Sequence, residues 1–143
     1  MVDRFYNIIL SIAILDQLTK WIIATTTPSL QLLPFFSIVT VKNFGAGFGI
    51  LQGKVITLTL ISLLVLGGIL WYKHKMQEQE LIPFALITGG LIGNLIDRVF
   101  RGHVIDFLDF FIGSYHWPAF NIADIALVVG VGLLVYIDSK NKK

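Results

Sequence analysis

The stretch FNIADIALVVGVGLLVYI, residues 120–137, contains the feature that decides the fold. Nearly every residue after Asp124 is aliphatic or glycine, and about 20 such residues in a helix are enough to cross a bilayer. Asn121 and Asp124 stand at the head of this run, where a carboxylate costs free energy unless it is paired or used. The stretch therefore predicts a transmembrane helix, residues 122–137, with polar groups at one end.

The whole chain has the composition of an integral membrane protein. Of its 143 residues, 55% are hydrophobic and 14% are charged, and the mean hydropathy is +0.79. A soluble domain carries about 25% charged residues, so we expect one membrane-embedded domain over residues 1–143. The net charge of +2 and the dispersed basic residues argue against nucleic acid as a partner.

The sequence has no pattern typical of a metal or cofactor site. It has no cysteine, which excludes disulfides, thiolate catalysis and thiolate metal ligands. The three histidines, His74, His103 and His116, are scattered without the spacing of metal ligands. We therefore expect no metal and no cofactor.

Three further segments, residues 5–23, 55–72 and 81–96, are apolar enough to span a bilayer, and the shorter ones suffice where the bilayer is thinned. The first resembles a cleavable signal peptide in its position. Asp16 and Lys20 interrupt it, however, and no large polar domain follows. We therefore predict an integral membrane α-helical protein with four transmembrane helices.

The distribution of lysine and arginine predicts the orientation, because these residues favour the cytoplasmic side. Four spans place both termini and the loop between spans two and three on one side. That side carries Arg4, Lys73, Lys75, Lys140, Lys142 and Lys143. The other side carries Lys42, Lys54, Arg98 and Arg101, spread over longer segments. We expect both termini to be cytoplasmic.

The two outer connections, residues 24–54 and 98–121, are not ordinary loops. The first contains FFSIVTVKN, a β-branched and aromatic run typical of a strand, followed by the glycine-rich NFGAGFGIL, typical of a tight turn. The second contains VIDFLDFFIG and YHWPAF, which are too apolar for a solvated loop. We predict a small extracytoplasmic β-sheet, or cradle, and an amphipathic segment at the membrane surface, anchored by Tyr115 and Trp117.

The predicted topology brings most of the polar residues near the spans to one depth, at or just below the outer surface. The inner halves of the spans are almost purely apolar. A charged side chain at the centre of a span costs about 2.5–3.5 kcal/mol and less toward the interface, so this layer must be paired or functional. Its members are Asp16, Gln17, Lys20, Asn43, Asn94, Asp97, Arg98, Asp106, Asn121 and Asp124.

Several of these charges have two interpretations. Asp16 and Lys20 are four residues apart on a helix and are expected to pair; a purely structural ion pair and a direct role remain equally open. Arg98 either extends to the lipid headgroups or contacts a bound lipid or peptide. Asp109, in the second connection, is expected to be a solvated residue at the rim.

Asp106 and Asp124 differ from the charged residues above because neither has an obvious cation nearby in the sequence. His103 is the only basic group near Asp106. Two carboxylates that meet in a low-dielectric site share a proton. The ionised member of such a pair accepts a proton from water and the protonated member polarises a carbonyl, as in aspartic proteases. Proton or ion translocation uses similar carboxylates, so the residues alone leave both functions open.

Five stretches of the chain, in order and on four predicted spans, resemble the bacterial lipoprotein signal peptidases (signal peptidase II). The chain departs from the family pattern at Gly47, where alanine is usual, and at Leu91, where a small residue is typical. The stretches are DQLTK (residues 16–20), NFGAGFG (43–49), GGLIGNLIDR (89–98), VIDFLD (104–109) and FNIAD (120–124).

The resemblance implies an aspartic endopeptidase with Asp106 and Asp124 as its catalytic residues. It implies further that Asp16 and Lys20 support the site and that the glycine-rich outer segment acts as a flap. The residues implied to line or brace the site are Asn43, Gly45, Asn94, Asp97, Arg98 and Asn121.

The resemblance also implies the substrate and the setting. The substrate is a diacylglyceryl-modified prolipoprotein, cut N-terminal to the lipidated cysteine, and globomycin is expected as an inhibitor. We expect a monomer in contact with membrane lipids, in the bacterial cytoplasmic (inner) membrane, with its site near the outer, periplasmic leaflet.

Two alternatives come from other classes of protein. A small proton-coupled carrier or channel subunit would use Asp16, Asp97 and Asp124 as a relay, but it needs polar groups that continue to the inner side, which the sequence lacks. A membrane scaffold would use the polar groups only to hold its helices together.

Overall fold

A computed structural model of the protein describes residues 2–26, 29–45 and 51–142. Within these residues, four helices are long and apolar enough to cross a membrane, as predicted. The first, third and fourth extend further than expected, since polar residues at their ends continue the helix. The helices are α1 (Val2–Thr26), α2 (Val55–Tyr72), α3 (Leu81–Arg101) and α4 (Ile122–Asn141).

Helix α3 lies at the centre of the bundle and packs against all three other helices. Glycines on its surface permit the close approach. A Cβ atom added at Gly90 would lie 2.4 Å from the carbonyl oxygen of Ala123 on α4, and one at Gly93 would lie 2.6 Å from Asp16 Oδ2 on α1. The ends of α1, α3 and α4 that carry the polar residues are thus held within reach of one another's side chains.

The two outer connections form one antiparallel sheet in the order β1-β2-β3-β4. Strands β2 and β3 pair with Val41 opposite Asp106 and Asn43 opposite Val104. This pairing joins chain segments that lie more than 60 residues apart and brings the amide of Asn43 beside Asp106. The strands are β1 (Ser29–Leu33), β2 (Phe36–Asn43), β3 (Val104–Ile112) and β4 (Tyr115–His116).

The sheet is confirmed, but the expected separate segment over residues 98–121 is corrected. Its first four residues complete α3, and most of the remainder forms β3 and β4. Apolar residues such as Ile105 and Phe107 are buried in the strand rather than laid on the membrane surface. Tyr115 and Trp117 are exposed near the end of the hairpin, and their anchoring in the headgroup region remains a prediction.

The glycine-rich segment predicted to act as a flap lies mostly outside the described residues, which end at Gly45 and resume at Leu51. Gly45 itself is buried, and its backbone N–H donates to Asn43 Oδ1 at 2.9 Å. This contact fixes the orientation of the Asn43 amide group.

Candidate active site

A cavity of about 520 Å³ opens between α3, α4, the start of β3 and residues 117–120. The polar residues predicted for the site divide between its wall and a layer behind it. Those that line the cavity are Asn43, Gly45, Asn94, Arg98, Asp106 and Asp124. Those buried beneath it are Asp16, Lys20, Asp97 and Asn121. The structure therefore brings every predicted site residue into one region.

Asp106 lies on β3, and both of its oxygens accept hydrogen bonds from amide side chains. Asn121 Nδ2 donates to Oδ1 at 2.7 Å, and Asn43 Nδ2 donates to Oδ2 at 2.8 Å. Because Asn43 Oδ1 already accepts the Gly45 N–H, the Asn43 NH₂ group must face the carboxylate. The direction of this side chain is set by its surroundings.

Asp124 lies in the first turn of α4, and Asn121 is the N-cap of that helix. The Asp124 N–H donates to Asn121 Oδ1 at 2.9 Å, and the Asn121 N–H donates to Asp124 Oδ2 at 3.2 Å, which forms a reciprocal capping box. Asn94 Nδ2 on α3 donates to Asp124 Oδ1 at 2.8 Å. Asn121 thus contacts both carboxylates and joins Asp106 to Asp124.

The pKa of Asp106 is raised to about 6, chiefly because burial disfavours the charged form and then because Asp124 adds a second negative charge. The hydrogen bonds from Asn43 and Asn121 and the charge of Lys20 act in the opposite direction. Asp106 therefore holds its proton at a higher pH than an isolated aspartate does.

Behind the cavity, Lys20 is fully buried and makes three contacts. Its Nζ lies 2.8 Å from Asp16 Oδ2 and 2.9 Å from Asp97 Oδ2, and it donates to Asn94 Oδ1 at 3.1 Å. The predicted pairing of Asp16 with Lys20 is confirmed. The second carboxylate, from α3, was not expected as a partner of the same ammonium group.

Two residues of this layer were absent from the predicted site. Gln17 Nε2 donates to Asp97 Oδ1 at 3.1 Å and to the carbonyl oxygen of Gly93 at 3.0 Å. Arg101 Nη1 donates to Gln17 Oε1 at 2.9 Å and forms an ion pair with Asp97. Asp97 and Arg101 lie four residues apart on a helix, and this spacing was the signal that could have identified their ion pair.

Arg98 lines the cavity together with Asp106 and Asp124. Across residues 2–26, 29–45 and 51–142, its guanidinium has neither a hydrogen-bond acceptor nor an ion-pair partner, although it lies within electrostatic reach of both carboxylates. A half-buried cation at this position is available to a ligand in the cavity.

The expectation that Asp109 is a solvated rim residue is wrong. Asp109 is buried, and both of its oxygens lie within 3.0 Å of His116 Nδ1. The ring of His116 also stacks on Phe111, with the ring centroids 5.0 Å apart. The β3–β4 hairpin brings these residues together, and no sequence pattern indicated that pairing.

The fold and the cavity define a multi-pass membrane protein whose buried carboxylates meet at the ends of its spans. Residues 8–139 match the family described as signal peptidase (SPase) II. The chain belongs to the signal peptidase II family, and it is therefore a peptidase.

Individual relatives agree with this assignment. The lipoprotein signal peptidase of Bacillus pumilus (strain SAFR-032) is 46% identical over an alignment 150 residues long, gaps included. The alignment covers 97% of each chain. That of Alteromonas mediterranea is 44% identical over 138 residues, covering 90% of this chain and 76% of the relative. A bacterial membrane enzyme solved by the in meso method at 2.3 Å resolution has a TM-score of 0.89 and 36% identity, covering 100% of this chain and 93% of the other.

Proposed function

We propose that the protein is a lipoprotein signal peptidase, an aspartic endopeptidase that removes signal peptides from diacylglyceryl-modified prolipoproteins. It cuts on the N-terminal side of the lipidated cysteine, as the family resemblance implies. The observation that carries the proposal is the pair of carboxylates, Asp106 and Asp124, joined by Asn121 at the wall of one cavity.

In the proposed reaction the two aspartates share one proton. The ionised carboxylate accepts a proton from water as the water oxygen bonds to the scissile carbonyl carbon, and the protonated carboxyl group gives its proton to the carbonyl oxygen. The tetrahedral intermediate then collapses: the C–N bond breaks, the leaving nitrogen receives the proton taken from water, and the second carboxylate recovers its own proton. Asn43, Asn94 and Asn121 hold the two carboxyl groups in place through the hydrogen bonds described above. Arg98, with its guanidinium free of protein partners among the described residues, binds the substrate backbone or its lipid.

The shape of the cavity supports a lipid-modified substrate. Its α4 side is apolar and includes Ile125, Val128 and Val129, all of which are exposed on the outside of the bundle. A cavity that is open along a lipid-facing helix admits an acylated cysteine from the bilayer without passing its chains through water. Globomycin is expected to compete at the same place.

We place the protein in the bacterial cytoplasmic membrane as a monomer, with both termini in the cytoplasm and the cavity near the outer leaflet. The lysines and arginines at the inner ends of the spans support this orientation. The carrier alternative gains no support, because residues 5–15, 81–93 and 125–137 contain no Asp, Glu, His, Lys or Arg to continue a relay inward.

The test is incubation of the purified full-length protein with a diacylglyceryl-modified precursor. Asp106→Asn and Asp124→Asn should each abolish cleavage while the protein inserts and folds as the wild type does. Asp138→Asn is the matched control, because Asp138 is an exposed carboxylate on the same helix as Asp124. Turnover by either active-site variant would contradict the proposed function.

A further inference from the structure

The layer beneath the cavity is built around an ammonium group that does not reach the cavity. Lys20 is fully buried, is absent from the cavity wall, and has a different oxygen partner for each of its three N–H bonds. An ion pair of this kind is weak evidence for stability, because removing two charges from water offsets most of their attraction. Another reason for its presence must lie in what the cluster touches.

Each carboxylate bound to Lys20 also accepts a backbone N–H next to one of the two aspartates of the cavity. Asp16 Oδ1 accepts the N–H of Ala123, the residue before Asp124, at 2.9 Å. Asp97 Oδ2 accepts the N–H of Ile105, the residue before Asp106, at 3.0 Å. The start of α4 and the start of β3 are therefore tied to a single ammonium group through two carboxylates.

Lys20 also determines which way the Asn94 amide points. A lysine has only donors, so Asn94 Oδ1 must face Lys20 Nζ, where it also accepts from Asn121 Nδ2 at 3.1 Å. The Asn94 NH₂ group is left to donate to Asp124 Oδ1. With the amide reversed, a carbonyl oxygen would face the carboxylate and the hydrogen bond would be lost.

We propose that Lys20, Asp16 and Asp97 form a positioning cluster that sets the separation and the hydrogen bonding of Asp106 and Asp124. Gln17 and Arg101 complete the cluster by holding the remaining oxygen of Asp97. Two carboxylates and two cations make it neutral, so it adds no net charge to the site above it. None of its members touches the substrate, and the inference rests on the proposed peptidase function.

The test compares Lys20→Met with the wild type in steady-state cleavage of a diacylglyceryl-modified precursor by the purified full-length protein. A misplacement of about 1 Å costs about 100-fold in rate, so kcat should fall by about that factor. KM should stay within about twofold, because Lys20 does not line the cavity. An unchanged kcat per folded molecule would overturn the inference.

A pH profile gives a second readout that a purely structural role would not move. The charged groups around Asp106 are Lys20 on α1, Arg98 on α3 and Asp124 on α4. Because Lys20 favours the ionised pair, its removal should shift the alkaline limb of kcat/KM to higher pH. Lys142→Met, which breaks an exposed Lys–Asp pair of the same spacing, should leave both kcat and the limb unchanged. If kcat/KM falls at the same alkaline pH in Lys20→Met as in the wild type, the inference is contradicted.

If Lys20→Met does not accumulate as folded protein, Lys20→Met/Asp16→Asn is measured instead, since it removes one charge of each sign. The same loss of kcat is expected. Failure of both variants to fold would overturn the inference in favour of a purely structural cluster. The two proposals fail differently: without cleavage by the wild type the proposed function falls, whereas normal kcat in the Lys20 variants removes only the positioning role.

Discussion

The protein contains two Lys–Asp pairs with the same spacing and nearly the same geometry in opposite surroundings. Lys20 Nζ lies 2.8 Å from Asp16 Oδ2, with both side chains 0% exposed. Lys142 Nζ lies 2.7 Å from Asp138 Oδ2, with the side chains 74% and 64% exposed. The local pattern on the helix is the same, so the difference comes from what packs against it.

The same contrast separates the two ends of the bundle. At the end that carries the sheet, side chains from three helices and the sheet form one hydrogen-bonded network. Among the described residues, no buried side-chain nitrogen or oxygen atom lacks a hydrogen-bond partner. Further inside, the buried hydroxyls of Ser62 and Thr88 donate to carbonyl oxygens of their own helices. Polar side chains at the site thus connect different helices, whereas those further along the bundle form hydrogen bonds within their own helix.

The largest expected effect distinguishes the two ion pairs. Lys20→Met leaves the buried Asp16 carboxylate without a cation and Asp97 with Arg101 alone, and it should lower the free energy of unfolding by about 3–5 kcal/mol. Lys142→Met should leave the free energy of unfolding unchanged, since exposed pairs of this spacing contribute little. Reversible unfolding in detergent measures both variants, and equal losses would show that burial does not separate the pairs.

The next effect concerns helix packing. Gly90→Ala places a Cβ atom 2.4 Å from the Ala123 carbonyl oxygen and should destabilise the protein by about 1–3 kcal/mol, with loss of activity as α3 and α4 move apart. Gly67 on α2 has no atom within 4 Å of an added Cβ. Gly67→Ala is therefore the matched control, and thermal unfolding measures both variants. Equal losses of stability in the two variants would contradict the packing account.

The titration of Asp106 predicts a pH dependence confined to the outer site. Its raised pKa of about 6 applies beside an ionised Asp124, so the pair loses its shared proton as the pH rises through that value. As the reaction needs that proton, kcat/KM should fall by about tenfold per pH unit above about 6, because it reports the free enzyme. The corresponding fall of kcat should occur at higher pH, since bound peptide excludes water from the Asp106 carboxyl group and so raises its pKa. A kcat/KM that stays flat above pH 6 would argue against this assignment.

The smallest effect belongs to the hairpin. His116→Ala removes the partner of the buried Asp109 carboxylate and should cost about 1 kcal/mol in the free energy of unfolding. Its control is His74→Ala, in the loop between α2 and α3. Equal stability of the two variants would mean that Asp109 is hydrated in place of its contact with His116.

Local chemistry was enough to predict the spans, the grouping of the polar residues at one end of the bundle and the pairing of Asp16 with Lys20. Apolar runs of sufficient length cross a bilayer wherever they occur, and residues four apart on a helix are neighbours before any tertiary packing forms. The roles of Asp106 and Asp124 were inferred from the family resemblance rather than from spacing.

The tertiary structure decided the contacts between distant parts of the chain. Asn43 meets Asp106 across 63 residues, and Asp16 holds the N–H of Ala123 across 107. The contact of Lys20 with Asp97, the link from Gln17 to Arg101 and the burial of Asp109 depend in the same way on how α3 and the sheet pack. Hydropathy and helical spacing determine where a side chain lies along its own element, whereas its partners depend on the packing of elements that the chain brings together only on folding.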